Sequence, residues 1–139
     1  MSSAQIPTDR NHTDPRILLV EDEKDLAQVV CEILNTLPAK VIVAKNGREA
    51  IRIIESGLSF DLVLLDLVLP QLNGLEVLRR LRRISTTTKV ILSTGYVASL
   101  DSKDLAGLEI SGVLGKPYMP NQLLAAVRAA LWPEANSGP

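Results

Sequence analysis

Asp66 closes the apolar run Leu62-Val63-Leu64-Leu65, and a carboxylate in that position can act as a nucleophile toward phosphorus. Three other apolar runs end on residues that complement it. Ile17-Leu18-Leu19-Val20 runs into Glu21-Asp22, Val90-Ile91-Leu92-Ser93 into Thr94, and Val113-Leu114-Gly115 into Lys116-Pro117. If the runs are parallel strands of one sheet, their carboxyl ends share the edge at which open α/β sheets place ligands. Three acids, a hydroxyl and an ammonium would then converge.

Carboxylates that close are costly unless neutralised. A hard divalent cation with oxygen ligands does this, and Mg²⁺ commonly takes one or two carboxylates with several waters. Asp22 and Asp66 are the expected direct ligands. Glu21, one methylene longer, acts through water or caps the following helix, and the main-chain carbonyl of Val68, two residues after Asp66, is a further ligand. Asp66 is the expected nucleophile. Lys116 and the metal would offset charge on the transferring oxygens, and Thr94 would donate its hydroxyl to one of them.

Such a site needs a scaffold, and the residues between the runs supply it. Leu26, Val29, Val30, Ile33, Leu34 and Leu37 follow the stripe of an amphipathic helix. Val41-Ile42-Val43 reads as a short strand, Asn46-Gly47 as a turn, and Ala50, Ile51 and Ile54 as a second helix. Phe60–Leu65 is the third strand, Leu75, Leu78 and Leu81 mark the third helix, and Lys89–Ser93 is the fourth strand. Residues 96–108 carry a diluted pattern, the least stable helix expected. Gly112–Gly115 is the fifth strand, and Pro120 opens a last helix. Five βα units with uniformly apolar strands predict a parallel sheet covered on both faces, an α/β three-layer sandwich.

With 139 residues, 46% of them hydrophobic, the chain is expected to form one domain over 16–132 between tails at 1–15 and 133–139. A net charge of −1 and 3% aromatic residues argue against nucleic-acid binding. No apolar run is long enough to span a bilayer and no secretion signal is visible, so a cytoplasmic location is expected. Cys31 alone cannot form an internal disulfide. It falls off its helix's stripe, and Arg79, Arg80, Arg82 and Arg83 read as a solvated, salt-bridged face. His12 lies in the tail, and Trp132 is expected to pack over the end of the last helix.

The chain resembles the receiver domain of two-component response regulators. The resemblance rests on Leu18-Leu19-Val20-Glu21-Asp22-Glu23, Ala44-Lys45-Asn46-Gly47-Arg48-Glu49-Ala50, Asp61 through Pro70, Asn73-Gly74-Leu75-Glu76-Val77-Leu78, Thr94-Gly95-Tyr96 and Lys116-Pro117-Tyr118. It covers roughly residues 16–131. It implies the flavodoxin-like order 2-1-3-4-5, Asp66 as phosphoacceptor, Glu21 and Asp22 as the acid pair around Mg²⁺, Thr94 as switch hydroxyl, Lys116 as phosphate sensor and a cis Lys116–Pro117 bond. The implied partners are a sensor histidine kinase or histidine phosphotransfer protein and a downstream protein target. The chain is then a monomer or weak dimer that signals through the fourth helix, fifth strand and fifth helix. It would be a phosphorylatable switch without an output domain, not an enzyme acting on other substrates. A receiver excised from a hybrid sensor kinase is the second context.

The family usually carries an aromatic residue where this chain has Val113, which has no ring to swing inward. Tyr96, Tyr118 or backbone shifts are the substitutes, and Tyr96 would also shield an acyl phosphate from water. Two readings of a different class are a small Mg²⁺ aspartyl phosphatase and a flavin carrier. The first lacks a second Asp at Val68, and the acidic edge disfavours the second.

Overall fold

The computed structural model describes residues 14–95 and 102–133. Among them strand and helix alternate: β1 Arg16–Val20, α1 Lys24–Leu34, β2 Lys40–Ala44, α2 Gly47–Glu55, β3 Leu62–Asp66, α3 Gly74–Ile84, β4 Lys89–Thr94, α4 Ser102–Leu105, β5 Gly112–Gly115 and α5 Pro120–Leu131. The strands form one parallel sheet in the order β2-β1-β3-β4-β5, the flavodoxin-like order.

Alternation along each strand divides its side chains between two cores. Ile17, Leu19, Leu62, Leu64 and Ile91 pack with Val30 and Leu34 of α1 and with Leu123 and Val127 of α5. Leu18, Val20, Val63, Leu65, Val90 and Leu92 pack with Ala50 and Ile54 of α2 and with Val77, Leu78 and Leu81 of α3. The runs are apolar without interruption because both faces are covered.

Local signals set the helix ends. Asn46 accepts the Glu49 N–H at 2.8 Å and Asn73 the Leu75 N–H at 2.8 Å, capping α2 and α3. Pro120 is the first residue of α5, and Trp132 follows its last turn, buried in the α1–α5 core. Helix α1 stops at Leu34, short of Leu37, because Pro38 disfavours helical geometry in the residue before it. Leu37 still reaches the core through a turn, its N–H donating to the Leu34 carbonyl at 3.0 Å. Strand β3 begins at Leu62, not Phe60, and Pro15, assigned to the tail above, already accepts the Lys40 N–H at 2.8 Å. The fourth helix is described only as the single turn Ser102–Leu105. Residues 1–13, 96–101 and 134–139, and with them His12, Tyr96 and most of both tails, lie outside the described residues.

Two side chains depart from their sequence readings. Cys31 is partly buried against the α1–α5 core, and burial pushes its thiol up. Within the basic run, Arg79 and Arg80 form ion pairs with Glu76, and Arg80 also with Glu55. Arg82 does not join that solvated face. Its guanidinium donates to the carbonyls of Leu108 (2.6 Å), Glu109 (2.6 Å), Thr88 (2.8 Å) and Ser85 (3.2 Å). No described helix is long and apolar enough to cross a membrane.

Candidate functional site

The strand registers bring the polar run-ends to one edge. Val20 pairs with Leu65 and Ala44, Asp66 with Ser93, and Thr94 with Gly115. Glu21, Asp66 and Lys116 therefore follow Leu19, Leu64 and Leu114, the side chains of the α1–α5 face, at the next same-face position.

The contacts agree with that parity. Lys116 Nζ donates to Glu21 Oε1 at 2.8 Å and to Asp66 Oδ2 at 2.9 Å. Glu21 and Asp66 are 3% and 4% exposed, so these are pairs made largely out of water. The remaining oxygens are also engaged: Glu21 Oε2 accepts the Glu23 N–H at 3.1 Å and Asp66 Oδ1 the Val68 N–H at 2.9 Å. Asp22 is exposed, yet carboxylate oxygens of Glu21, Asp22 and Asp66 all lie within 4.8 Å of one another. Glu23, not Glu21, is the N-cap residue of α1.

Burial pushes the Glu21 carboxyl up, with partial relief from Lys116 and the Glu23 N–H. Burial alone would pull the Lys116 ammonium down, but its hydrogen bonds to Glu21 and Asp66 outweigh this and lift it above the usual lysine range. Tyr118 is half-buried beside them, its phenol pushed up by burial and by the charge of Glu21.

The main chain ties the strand ends together. Lys116 N–H donates to the Thr94 carbonyl at 2.8 Å and Leu67 N–H to the Ser93 carbonyl at 3.1 Å. Thr94 ends β4, 2% exposed, and the Lys116–Pro117 bond is cis. The structure thus gathers Glu21, Asp22, Asp66 and Lys116 by side chain and Thr94 by main chain. Val68 stands beside them with its side chain 59% exposed, and Val113, in β5, is 37% exposed. In the sequence Gly74 stood only as part of the Asn73-Gly74-Leu75 motif; it lies directly under Asp66.

The donor set suits a hard cation. Three carboxylates face one ammonium, and all the clustered ligand atoms are oxygens.

Comparison with known proteins points the same way. The Bacillus subtilis (strain 168) uncharacterized transcriptional regulatory protein YkoG is 42% identical over 117 residues, which are 83% of this chain and 50% of that protein. The chain spans about half the length of the curated relatives it matches. A CheY-like response regulator receiver domain protein from Methanospirillum hungatei JF-1 superposes with a TM-score of 0.80 at 27% identity, covering 90% of this chain and 99% of that one. The receiver domain of sensor histidine kinase PA1611 from Pseudomonas aeruginosa PAO1 was solved with a magnesium ion coordinated in its active-site cleft. It superposes with a TM-score of 0.75 at 25% identity over 85% of this chain and 98% of that one. The profile of the response regulator receiver domain matches residues 17–128, nearly the whole described chain, and a match of that extent settles kinship: the chain belongs to the response regulator receiver domain family.

Proposed function

We propose that the domain is a signalling switch that takes a phosphoryl group onto Asp66 from the phosphohistidine of a sensor kinase or phosphotransfer protein. The observation that carries this reading is the buried Asp66 carboxylate, hydrogen-bonded to Lys116 and within 4.8 Å of the Glu21 and Asp22 oxygens.

Asp22, Asp66 and the Val68 carbonyl would hold Mg²⁺ directly, with Glu21 acting through water. Bound there, Mg²⁺ would neutralise charge on the carboxylates and on the transferring phosphoryl oxygens. An Asp66 oxygen attacks phosphorus and forms the new O–P bond. The P–N bond of the phosphohistidine breaks, and its electron pair returns to the imidazole nitrogen, which takes up a proton. Lys116, already on Asp66 Oδ2, is placed to follow the new negative charge. Thr94 offers its hydroxyl from the neighbouring strand.

Valine at 113 leaves that position without the aromatic ring the family usually carries. We infer that the signal travels through the main chain, where Lys116 N–H meets the Thr94 carbonyl, to the α4–β5–α5 face. A downstream protein reads that face, in a monomer or weak dimer, and the domain works in the cytoplasm. Acetyl phosphate with Mg²⁺ should add one phosphoryl group to the intact mass, and EDTA should prevent it. Turnover of small phosphomonoesters without a stable adduct would instead favour a phosphatase.

A further inference from the structure

Gly74 opens α3 and is buried. A Cβ at this position would lie 2.5 Å from the Asp66 carbonyl oxygen, 2.7 Å from Leu67 Cα and 3.2 Å from the Leu67 carbonyl carbon. All three are main-chain atoms, so no side-chain rotation relieves the contact. Gly47, which opens α2, is tight against a different neighbour: the nearest atoms to a Cβ there belong to Leu72, its Cβ and Cδ2 both at 3.0 Å. The first turn of α3 therefore rests directly on the peptide that carries Asp66.

The same short segment is held from other sides. Leu67 donates its N–H to Ser93 of β4 at 3.1 Å and accepts the Gly74 N–H on its carbonyl at 3.1 Å. Val68 donates its N–H to Asp66 Oδ1 at 2.9 Å. Asn73 fixes the approach by accepting the Leu75 N–H. The main chain at Asp66 and Leu67 is thus clamped between β4 and α3, and the Val68 N–H that follows it holds the Asp66 carboxylate.

We propose that Gly74 is a positioning residue for Asp66. Its missing side chain lets α3 seat against the Asp66–Leu67 main chain, and this seat aims the Asp66 carboxylate and the Val68 carbonyl at metal and phosphorus. The inference rests on Asp66 being the phosphoacceptor. Gly74 itself touches neither metal nor phosphate.

The test compares Gly74→Ala and Asn73→Ala with the matched cap lesion at the start of α2, Asn46→Ala. Three quantities are read in the full chain: melting temperature, phosphorylation rate at saturating acetyl phosphate and Mg²⁺, and the Mg²⁺ concentration that half-shifts the Val68 amide resonance. Gly74→Ala should slow phosphorylation by about tenfold or more, the scale expected of a sub-ångström misplacement, and should raise the half-shifting Mg²⁺ concentration. Asn73→Ala should move both readouts less, in the same direction. The α2 variant should leave both unchanged even where it lowers the melting temperature. A Gly74→Ala protein that melts lower yet keeps its rate and its Mg²⁺ response overturns the proposal. So does a rate loss that Asn46→Ala reproduces. Should Gly74→Ala fail to fold, the Asn73 and Asn46 variants decide, and equal effects overturn the proposal. An unaltered chain that takes no phosphate overturns the function proposed above, and this inference with it.

Discussion

Lys116 does at the site what a metal would otherwise have to do alone. Its ammonium stands between two buried carboxylates that repel one another. Because its protonated form is favoured in the folded state, the pair contributes at neutral pH and is lost only as pH rises into the strongly alkaline range. Lys116→Ala should lower stability in EDTA by about 1–3 kcal/mol, read by urea unfolding, since it leaves buried acceptors and like charges behind. Added Mg²⁺ should return part of that loss, and a variant equally stable with and without Mg²⁺ would contradict the pairing. Cys31 makes a second prediction. The thiolate is the reactive form, so a thiol pushed up by burial should alkylate slowly with iodoacetamide at pH 8 and much faster in urea. Native alkylation as fast as in urea would show the thiol unshielded. The acids and Lys116 were legible in the sequence because each follows an apolar run. The pairing of Glu21 with Lys116, 95 positions apart, was not.

At the scale of elements, Arg82 shows why a charge run misleads. Four arginines in five positions read as a wet face, and three of them are: Arg83 is exposed, and Arg79 and Arg80 pair with Glu76 and Glu55 on α3 and neighbouring α2. Arg82 points the other way, toward carbonyls 26 and 27 residues on, in the turn between α4 and β5. No local pattern announces main-chain acceptors that far along the chain. Burial pulls the Arg82 guanidinium down without discharging it. Arg82→Ala should cost about 2–4 kcal/mol by stranding several carbonyls. It should speed amide exchange at Leu108–Ser111 well before exchange in α1. A uniform rise in exchange across both regions would mean that Arg82 only adds global stability. Arg82→Lys should recover only part, since an ammonium cannot match the planar fork on four acceptors. The role of Gly74 was likewise hidden: its motif does not say why a glycine is needed, and the requirement comes from the Asp66 main chain underneath.

For the whole molecule, the architecture was legible because the rules are general. Apolar runs with intervening amphipathic stripes specify a parallel sheet between two helical layers, and the observed cores divide as strand alternation requires. The order β2-β1-β3-β4-β5 came from the family resemblance, not from hydrophobic pattern, which says which faces are covered but not which strands are neighbours. The fourth helix was the hardest element to read because Ser, Asp and Gly dilute its stripe. This fold brings Asp66 to an edge already set with acids and a lysine, and the proposed switch requires that Asp66 become phosphorylated there. Borohydride reduction after acetyl phosphate and Mg²⁺ treatment converts an aspartyl phosphate to homoserine, which peptide mass spectrometry then locates. Homoserine should appear at position 66 and be absent with EDTA and in Asp66→Ala. Homoserine at another aspartate, or none anywhere in a folded chain supplied with Mg²⁺, would contradict the proposed switch.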